Sequence, residues 1–277
     1  MHSVQHLIEI ALKEDIGSGD ITTENLIEPE LVGRGSIIAK EVLVIAGLDV
    51  AKQVFKYLDP NIIFRPKYRD GDAIKEGETV VEIEGELRAL LMGERTALNF
   101  LQRLSGVATH ARSFIDSLGD TRVRLVDTRK TTPGWRVLEK YAVRAGGAHN
   151  HRMGLYDGVL IKDNHIAVCG GIKNAVARIR GRISHLLKIE VEASTQGEVK
   201  EALDAGADVI MLDNMDLKQI KAAIELIDGK AGVEVSGRVA RGDLLLLADA
   251  GVDIISIGAL THAAKSMDIS MRIEPAE

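Results

Sequence analysis

The sequence predicts an α/β protein whose C-terminal half forms a β/α barrel, and three observations carry that prediction. First, six short segments rich in Val and Ile read as buried strands: RVRLVD (122–127), DGVLI (157–161), LLKIEVEA (186–193), DVIMLD (208–213), GVEVS (232–236) and DIISIG (253–258). Near-continuous apolar runs of this kind suit a parallel sheet covered on both faces. Second, helical patterns such as TQGEVKEALDAG and DLKQIKAAIELIDG separate them, each ending at or near a glycine, a common helix stop. Third, Asp204-Ala-Gly-Ala-Asp208 echoes Asp249-Ala-Gly-Val-Asp253, 45 residues later. One further strand lies between them, so each strand–helix unit takes about 22 residues, as stacked βα units do. No GxGxxG follows the first strand, which argues against a dinucleotide-binding sheet. Only about six strands are counted against the eight of a full β/α barrel, so an incomplete barrel is expected.

The N-terminal third has a different grammar. GRGSIIAKEVLVIAG and DAIKEGETVVEIEGE read as antiparallel strands with tight turns, flanked by helices at 3–14 and about 87–105. The stretch from Asp70 to Gly85 resembles half of a biotinyl or lipoyl carrier domain, but it lacks a modifiable lysine at a following turn. It is read as a structural hairpin. The domain boundary is placed near Gly106, with no Pro/Ser-rich linker to mark it.

Composition narrows the function classes. Apolar residues make up 45% and charged residues 27%, as in ordinary globular chains. No apolar run reaches the ~18 residues of a spanning helix, and the N-terminus lacks the basic start and apolar centre of a secretory signal. One cysteine, Cys169, forbids an intramolecular disulfide framework and suits a reducing cytoplasm. The net charge of −6 and 3% aromatics argue against nucleic-acid binding. Yet residues 122–152 hold eight Lys/Arg (Arg122, Arg124, Arg129, Lys130, Arg136, Lys140, Arg144, Arg152) against Asp127 and Glu139, a local +6. A cationic patch in an acidic chain points to a small, highly charged anion. Arg136, Lys140 and Arg144 lie four apart and read as a solvated helix face; Arg129 and Lys130 follow a strand directly and do not.

Active sites of β/α barrels lie just past the strand C-termini. Those positions hold Asp127, Arg129 and Lys130, then Lys162, then Glu190 and Glu192, then Asp213, then Ser236 and Gly237, then Gly258. Cations come from the early strands, carboxylates from the middle and small residues from the last two. That order suits a ligand with an acidic end, a hydroxylated middle and a phosphate, because small residues let backbone N–H groups approach a phosphate. Glu192 and Asp213 can supply the protein side of a Mg²⁺ site. Arg95 sits on or beside the apolar stripe of LRALLMGERTALNFLQRL, where a charge must be paired or face a ligand or a neighbouring subunit. Lys162 is either a Schiff-base nucleophile or a cation that holds a carboxylate. His151 and His165 lack HExxH-type spacing, and no Walker A or GxSxG motif occurs. Gly17-Ser-Gly-Asp20 is read as a turn entering a capped segment.

The runs Asp127-Thr-Arg-Lys-Thr-Thr-Pro-Gly134, Lys140-Tyr-Ala-Val-Arg-Ala-Gly-Gly-Ala-His-Asn-His-Arg-Met-Gly-Leu155 and Leu160-Ile-Lys-Asp-Asn-His165 resemble the quinolinate phosphoribosyltransferase family. The likeness extends through Glu14–Thr22, Gly93–Asn99, Leu104–Thr109, Ile189–Glu192, Met211–Asn214 and Ile257–Thr261. It implies an N-terminal α/β sandwich (1–105, joined by 267–277) and an incomplete, TIM-like α/β barrel (106–266). It implies a cytoplasmic enzyme of NAD biosynthesis that transfers phosphoribose from phosphoribosyl pyrophosphate to quinolinate, giving nicotinate mononucleotide, CO₂ and diphosphate. It also implies Mg²⁺ and a homodimer with sites at subunit interfaces. Residue by residue, Arg129, His151, Arg152 and Lys162 would hold the quinolinate carboxylates, with Arg95 reaching in from the partner subunit. Lys130 would meet the phosphoribosyl pyrophosphate, Glu192 and Asp213 would bind ribose hydroxyls and metal, and Ser236, Gly237 and Gly258 the 5′-phosphate. Lys130, Glu192 and Asp213 are the expected catalytic residues. Where many relatives read Ser-Gly-Gly, this chain has Ser236-Gly-Arg238, which leaves the shape of that loop open.

Two rival readings are weaker. A molybdate-transport-linked paralogue shares the Thr-Arg-Lys region, but Lys162-Asp-Asn-His165 and the pair His151-Arg152 favour the quinolinate enzyme. A Schiff-base lyase or aldolase using Lys162 gives no reason for Arg129, Lys130 and Arg152 together.

Overall fold

The computed structural model describes residues 2–276, with side chains from Val4 onward. The chain divides into two compact units. The first comprises the chain up to Arg112, Thr131–Gly147, and the chain from Leu260 on; the second comprises Ser113–Lys130 and Ala148–Ala259.

The first unit holds α1 (His2–Ile16), α2 (Ile21–Leu26), β1 (Val32–Ala39), β2 (Leu43–Val44), α3 (Leu48–Leu58), β3 (Ile63–Pro66), β4 (Ala73–Ile74), β5 (Thr79–Glu86) and most of α4 (Leu87–Leu118). Its sheet is antiparallel, and β1 pairs with β5 on one side and with the last strand, Ile269–Pro275, on the other. Alternate residues of β1, among them Ile37 and Ala39, are fully buried, as a half-covered sheet requires. Asp20 caps α2, accepting from the backbone N–H groups of Thr22 and Thr23 at 3.0 Å, so Gly17–Asp20 is the expected capped turn. The expected hairpin from Asp70 to Gly85 is a correction. β4 pairs with β2 and β5 with β1, because Gly77 N–H to Ala39 O and Ala39 N–H to Glu78 O fasten the connecting turn onto β1.

Helix α4 runs unbroken through Gly106, where the sequence suggests a boundary. Gly106 instead marks a close approach: a Cβ there would lie 1.9 Å from the Lys265 carbonyl oxygen. Segment 131–147 belongs to the first unit through α5 (Arg136–Ala145). This corrects the solvated-face reading of Arg136, Lys140 and Arg144. Lys140 is fully buried, with 0% exposure, and only Arg144 is exposed. Beside Lys140, Glu139 is also fully buried and accepts from Arg103 Nη2 at 2.6 Å and Nε at 3.1 Å, and from Thr132 Oγ1 and N–H.

The second unit contains all six predicted parallel strands: β6 (Arg124–Val126), β7 (Val159–Ile161), β8 (Ile189–Ala193), β9 (Val209–Asp213), β10 (Gly232–Ser236) and β11 (Ile254–Ser256). Helices α6 (Asp163–Cys169), α7 (Ile172–Arg180), α8 (Gln196–Asp204), α9 (Leu217–Ile227) and α10 (Leu244–Ala250) alternate with them. A short helix α11 (Ala259–His262) and β12 (Ile269–Pro275) complete the chain. The strand order is β6-β11-β10-β9-β8-β7. The ring stays open between β6 and β7, where residue 149 makes a lone parallel bridge to Val126. The architecture is the expected incomplete barrel.

Parallel register and the period of two decide which side chains face inward. Val191, Ile210, Leu212, Val233, Val235 and Ile255 are buried on the face that the helices cover. Glu190, Glu192, Met211, Asp213, Glu234 and Ser236 share the opposite face. Among the described residues no helix is long and apolar enough to cross a membrane.

Candidate active site

The open seam is built by Asp127. Its buried carboxylate accepts from Asn150 Nδ2 at 2.6 Å and from the His151 backbone N–H at 2.9 Å. The His149 N–H donates to Leu125 O, and the Asp127 N–H to His149 O. Residues 149–151 thereby lie along β6 as a short extra rung, and Arg152 follows beside Arg129. Asp127 is the strand-end residue whose role the sequence leaves unstated; its place ahead of two cations is the available signal.

Arg129 and Lys130 are exposed and Arg152 is half-buried, with its Nη1 donating to Gly158 O at 2.9 Å. Burial and then the charge of Arg129 lower the Arg152 pKa. Two guanidiniums whose charges are felt in this way raise the local positive potential, which favours a dianion. Lys162 Nζ donates to Glu192 Oε2 across β7 and β8. The contact occupies the amine that a Schiff-base nucleophile would need free. Asp213 ends β9, and its Oδ2 accepts from Asn214 Nδ2 at 2.8 Å. Ser236 ends β10 and Gly237 follows it, and Gly258 follows β11. Register places Asp213 level with Ser236, and Ser236 level with Ser256. The cation, carboxylate and small-residue ends of the predicted order therefore lie along one barrel mouth.

His151 has close partners of its own within the barrel. Its Nε2 lies 3.1 Å from Glu190 Oε2 and 3.6 Å from Glu234 Oε1, while its Nδ1 accepts the Arg152 backbone N–H at 2.8 Å. Both ring nitrogens thus have a protein partner in this structure. Glu190 and Glu234 stand two strands apart yet meet one imidazole, which shows how concave the inner face is. Burial disfavours a charged ring here, but hydrogen bonds to Glu190 and Glu234 and their charges outweigh it and raise the His151 pKa to about 10. Burial, with Glu234 beside it, raises that of Glu190. Nδ1 accepts only while it is unprotonated, so in this geometry the ring proton sits on Nε2, facing the acids, and the charged ring that the acids favour would have to give up the contact with the Arg152 N–H. The three side chains have ligand atoms within 4.8 Å of one another, but a protonated Nε2 cannot coordinate a cation. They form a hydrogen-bonded brace under Arg152. Sequence reading places Glu190 at a strand end and passes over Glu234. The missed signal is Glu234, a carboxylate in the middle of the strand Gly232-Val-Glu-Val-Ser236.

Beside this cluster a cavity of about 320 Å³ runs past Arg152 and Gly158 toward Lys188. A second cavity of about 410 Å³ opens next to Ser236, Asn214 and Arg238. Arg238 is exposed on its rim. In the first unit, Arg95 is exposed and Glu94 half-buried, and the two form no ion pair with each other or with any described residue. The alternative of an internal Glu–Arg brace is therefore absent.

Two family models match the chain. "Quinolinate phosphoribosyl transferase, N-terminal domain" covers residues 20–105, and "Quinolinate phosphoribosyl transferase, C-terminal domain" covers residues 107–272. A probable carboxylating nicotinate-nucleotide pyrophosphorylase of Bacillus subtilis is 45% identical over 94% of this chain and 90% of that protein. A chloroplastic carboxylating nicotinate-nucleotide pyrophosphorylase of Oryza sativa is 38% identical over 99% of this chain and 78% of its own length. The crystal structure of NadC from Streptococcus pyogenes matches with a TM-score of 0.96 at 41% identity, covering 100% of this chain and 98% of that one.

Proposed function

The chain belongs to the quinolinate phosphoribosyltransferase family, and from that premise we propose that its barrel mouth transfers phosphoribose from phosphoribosyl pyrophosphate to quinolinate, with loss of CO₂. It is an enzyme of NAD biosynthesis, a pentosyltransferase of the carboxylating nicotinate-nucleotide pyrophosphorylase type. The observation that carries the substrate reading is the order of charge along the mouth: Arg129 and Arg152, then Lys162–Glu192, then Asp213, then Ser236 and Gly237.

In this reading Arg129, Arg152 and Lys162 hold the two carboxylates of quinolinate. His151 acts from beneath, through its contact with the Arg152 backbone. Glu192 and Asp213 take ribose hydroxyls, and Ser236, Gly237 and Gly258 receive the 5′-phosphate. The bond from C1′ to the diphosphate oxygen breaks, and its electron pair leaves with diphosphate beside Lys130. The pyridine nitrogen lone pair forms the new bond to C1′, making a pyridinium. Electrons from the breaking C2–carboxylate bond are stabilised by that positive ring and are then captured by a proton. Catalysis is positioning and fixed electrostatics, with no covalent enzyme intermediate. Glu192 and Asp213 suit Mg²⁺, since they are half-buried oxygen donors at the ends of adjacent strands, each with one oxygen already oriented by a donor. When bound, Mg²⁺ would neutralise charge on the departing diphosphate. The lone cysteine fits a cytoplasmic setting.

The test is direct. Protein mixed with quinolinate, phosphoribosyl pyrophosphate and Mg²⁺ should yield nicotinate mononucleotide, CO₂ and diphosphate. No product from quinolinate would sink the reading, and product from nicotinate instead would move it to another substrate.

A homodimer with Arg95 contributed across the interface is part of this reading. It is supported by an exposed, unpaired arginine on a helix whose other face is buried. Arg95→Ala and Lys162→Ala proteins should each be inactive alone. Unfolded, mixed in equal amounts and refolded, they should recover about a quarter of the wild-type rate, since half the dimers then carry one intact site. No recovery would place Arg95 in its own subunit's chemistry or outside it.

A further inference from the structure

Asn214 has a conformation that its place in the fold does not explain. Its φ is +52°, one of three left-handed non-glycine residues described. Of the others, Asp228 ends helix α9, where that conformation is common. Asn214 follows a strand. Left-handed backbone off glycine costs energy and persists where surrounding contacts impose it, often at functional sites. Here three contacts do so. The Asn214 amide Nδ2 donates to Asp213 Oδ2 at 2.8 Å. Its backbone N–H donates to Ser236 O at 3.2 Å. Its Oδ1 lies where Gly237 passes: a Cβ on Gly237 would come within 2.7 Å of it, and Gly237 itself has φ +127°. One side chain therefore touches both the carboxylate that ends β9 and the loop that follows β10.

We propose that Asn214 is a positioning residue that sets the span between the ribose-binding carboxylate and the 5′-phosphate loop, and so selects a phosphorylated pentose. The proposal rests on the assignment of Asp213 and Ser236–Gly237 to the sugar phosphate. By holding Oδ2, the amide turns the other Asp213 oxygen, which accepts no hydrogen bond among the described residues, toward a ribose hydroxyl. By packing on Gly237, it fixes how close the loop's backbone N–H groups come to a phosphate. An amide does both at once, because one end donates and the other only occupies space. Aspartate in its place keeps the shape but loses the donor and sets two carboxylates face to face.

The variants Asn214→Asp and Asn214→Gly both tolerate the left-handed backbone. The measurements are melting temperature, calorimetric Kd for phosphoribosyl pyrophosphate, and KM for each substrate. Both variants should melt with the wild type. Their affinity for phosphoribosyl pyrophosphate should fall by about 10- to 100-fold, more for Asn214→Asp, as for loss of a charge-assisted hydrogen bond. KM for quinolinate should stay within about threefold. Unchanged affinity for phosphoribosyl pyrophosphate would overturn the proposal. So would equal weakening for both substrates, or a loss that tracks a lowered melting temperature, since a plain turn residue predicts those. If the wild type binds phosphoribosyl pyrophosphate but does not turn over quinolinate, the functional reading fails while the calorimetry still decides the role of Asn214. If the wild type does not bind it, both fail.

Discussion

Arg129→Ala should lower kcat/KM for quinolinate by roughly three orders of magnitude, the cost of truncating a charge that holds a desolvated anion. Arg129 is exposed and follows the β6 strand end, so its loss removes little packing. The melting temperature should stay with that of the wild type. The structure gives the reason for so large an effect. Arg152 is held by Gly158 O and by the brace under its backbone, and its pKa is lowered by burial and by Arg129. Arg152 is thus held before substrate arrives, and the charge of Arg129 near it favours an entering dianion. A lone Arg152 keeps one carboxylate contact and loses the focused field. Steady-state kinetics with circular dichroism checks this. A well-folded variant retaining more than a tenth of wild-type kcat/KM would remove Arg129 from the site.

Glu139→Ala should cost about 3–5 kcal/mol of stability, the range for breaking one partner of a buried ion pair. Glu139 is fully buried, and its two oxygens accept four hydrogen bonds, two from Arg103 and two from Thr132. Its removal leaves Arg103 with only the carbonyls of Thr261 and Ala264, and leaves the Thr132 N–H without its acceptor. Thr132 lies two residues beyond Lys130, so the loop carrying the predicted diphosphate contact should loosen as well. Glu139→Gln keeps an acceptor for Thr132 but loses the charge, and should be intermediate. Urea unfolding reads the difference. A loss below about 1 kcal/mol for the alanine variant would mean that the pair barely offsets its own desolvation.

Both predictions concern residues in the segment that first appears as a local excess of positive charge. That charge divides in a way no count reveals. Arg129, Lys130 and Arg152 stay in the barrel unit, while Lys140 is buried in the other unit beside the Arg103–Glu139 pair. Spacing of four along a helix marks one face as polar. It does not say whether that face meets water or a buried carboxylate on another element, since either partner satisfies a lysine. The Asp70–Gly85 hairpin fails for a related reason. A strand–turn–strand pattern is local, but the choice of β1 as partner for β5 is made by a segment more than thirty residues away.

What sequence alone determined was whatever neighbours along the chain decide. The six Val/Ile-rich strands, the glycine-ended helices, the capped turn at Asp20 and the order of cation, carboxylate and small residue at strand ends are all local terms, and all are present in the structure. The long family motifs added the chemistry, because they are specific over nearly the whole chain. Only the tertiary structure decided which of these residues meet. The barrel's curvature brings Glu190 and Glu234 onto His151 from strands that are not neighbours, a meeting that no local pattern foretells. The same closure sets Asn214 against Gly237. Contacts of this kind depend on register and curvature summed over many strands, and no window of sequence contains that sum.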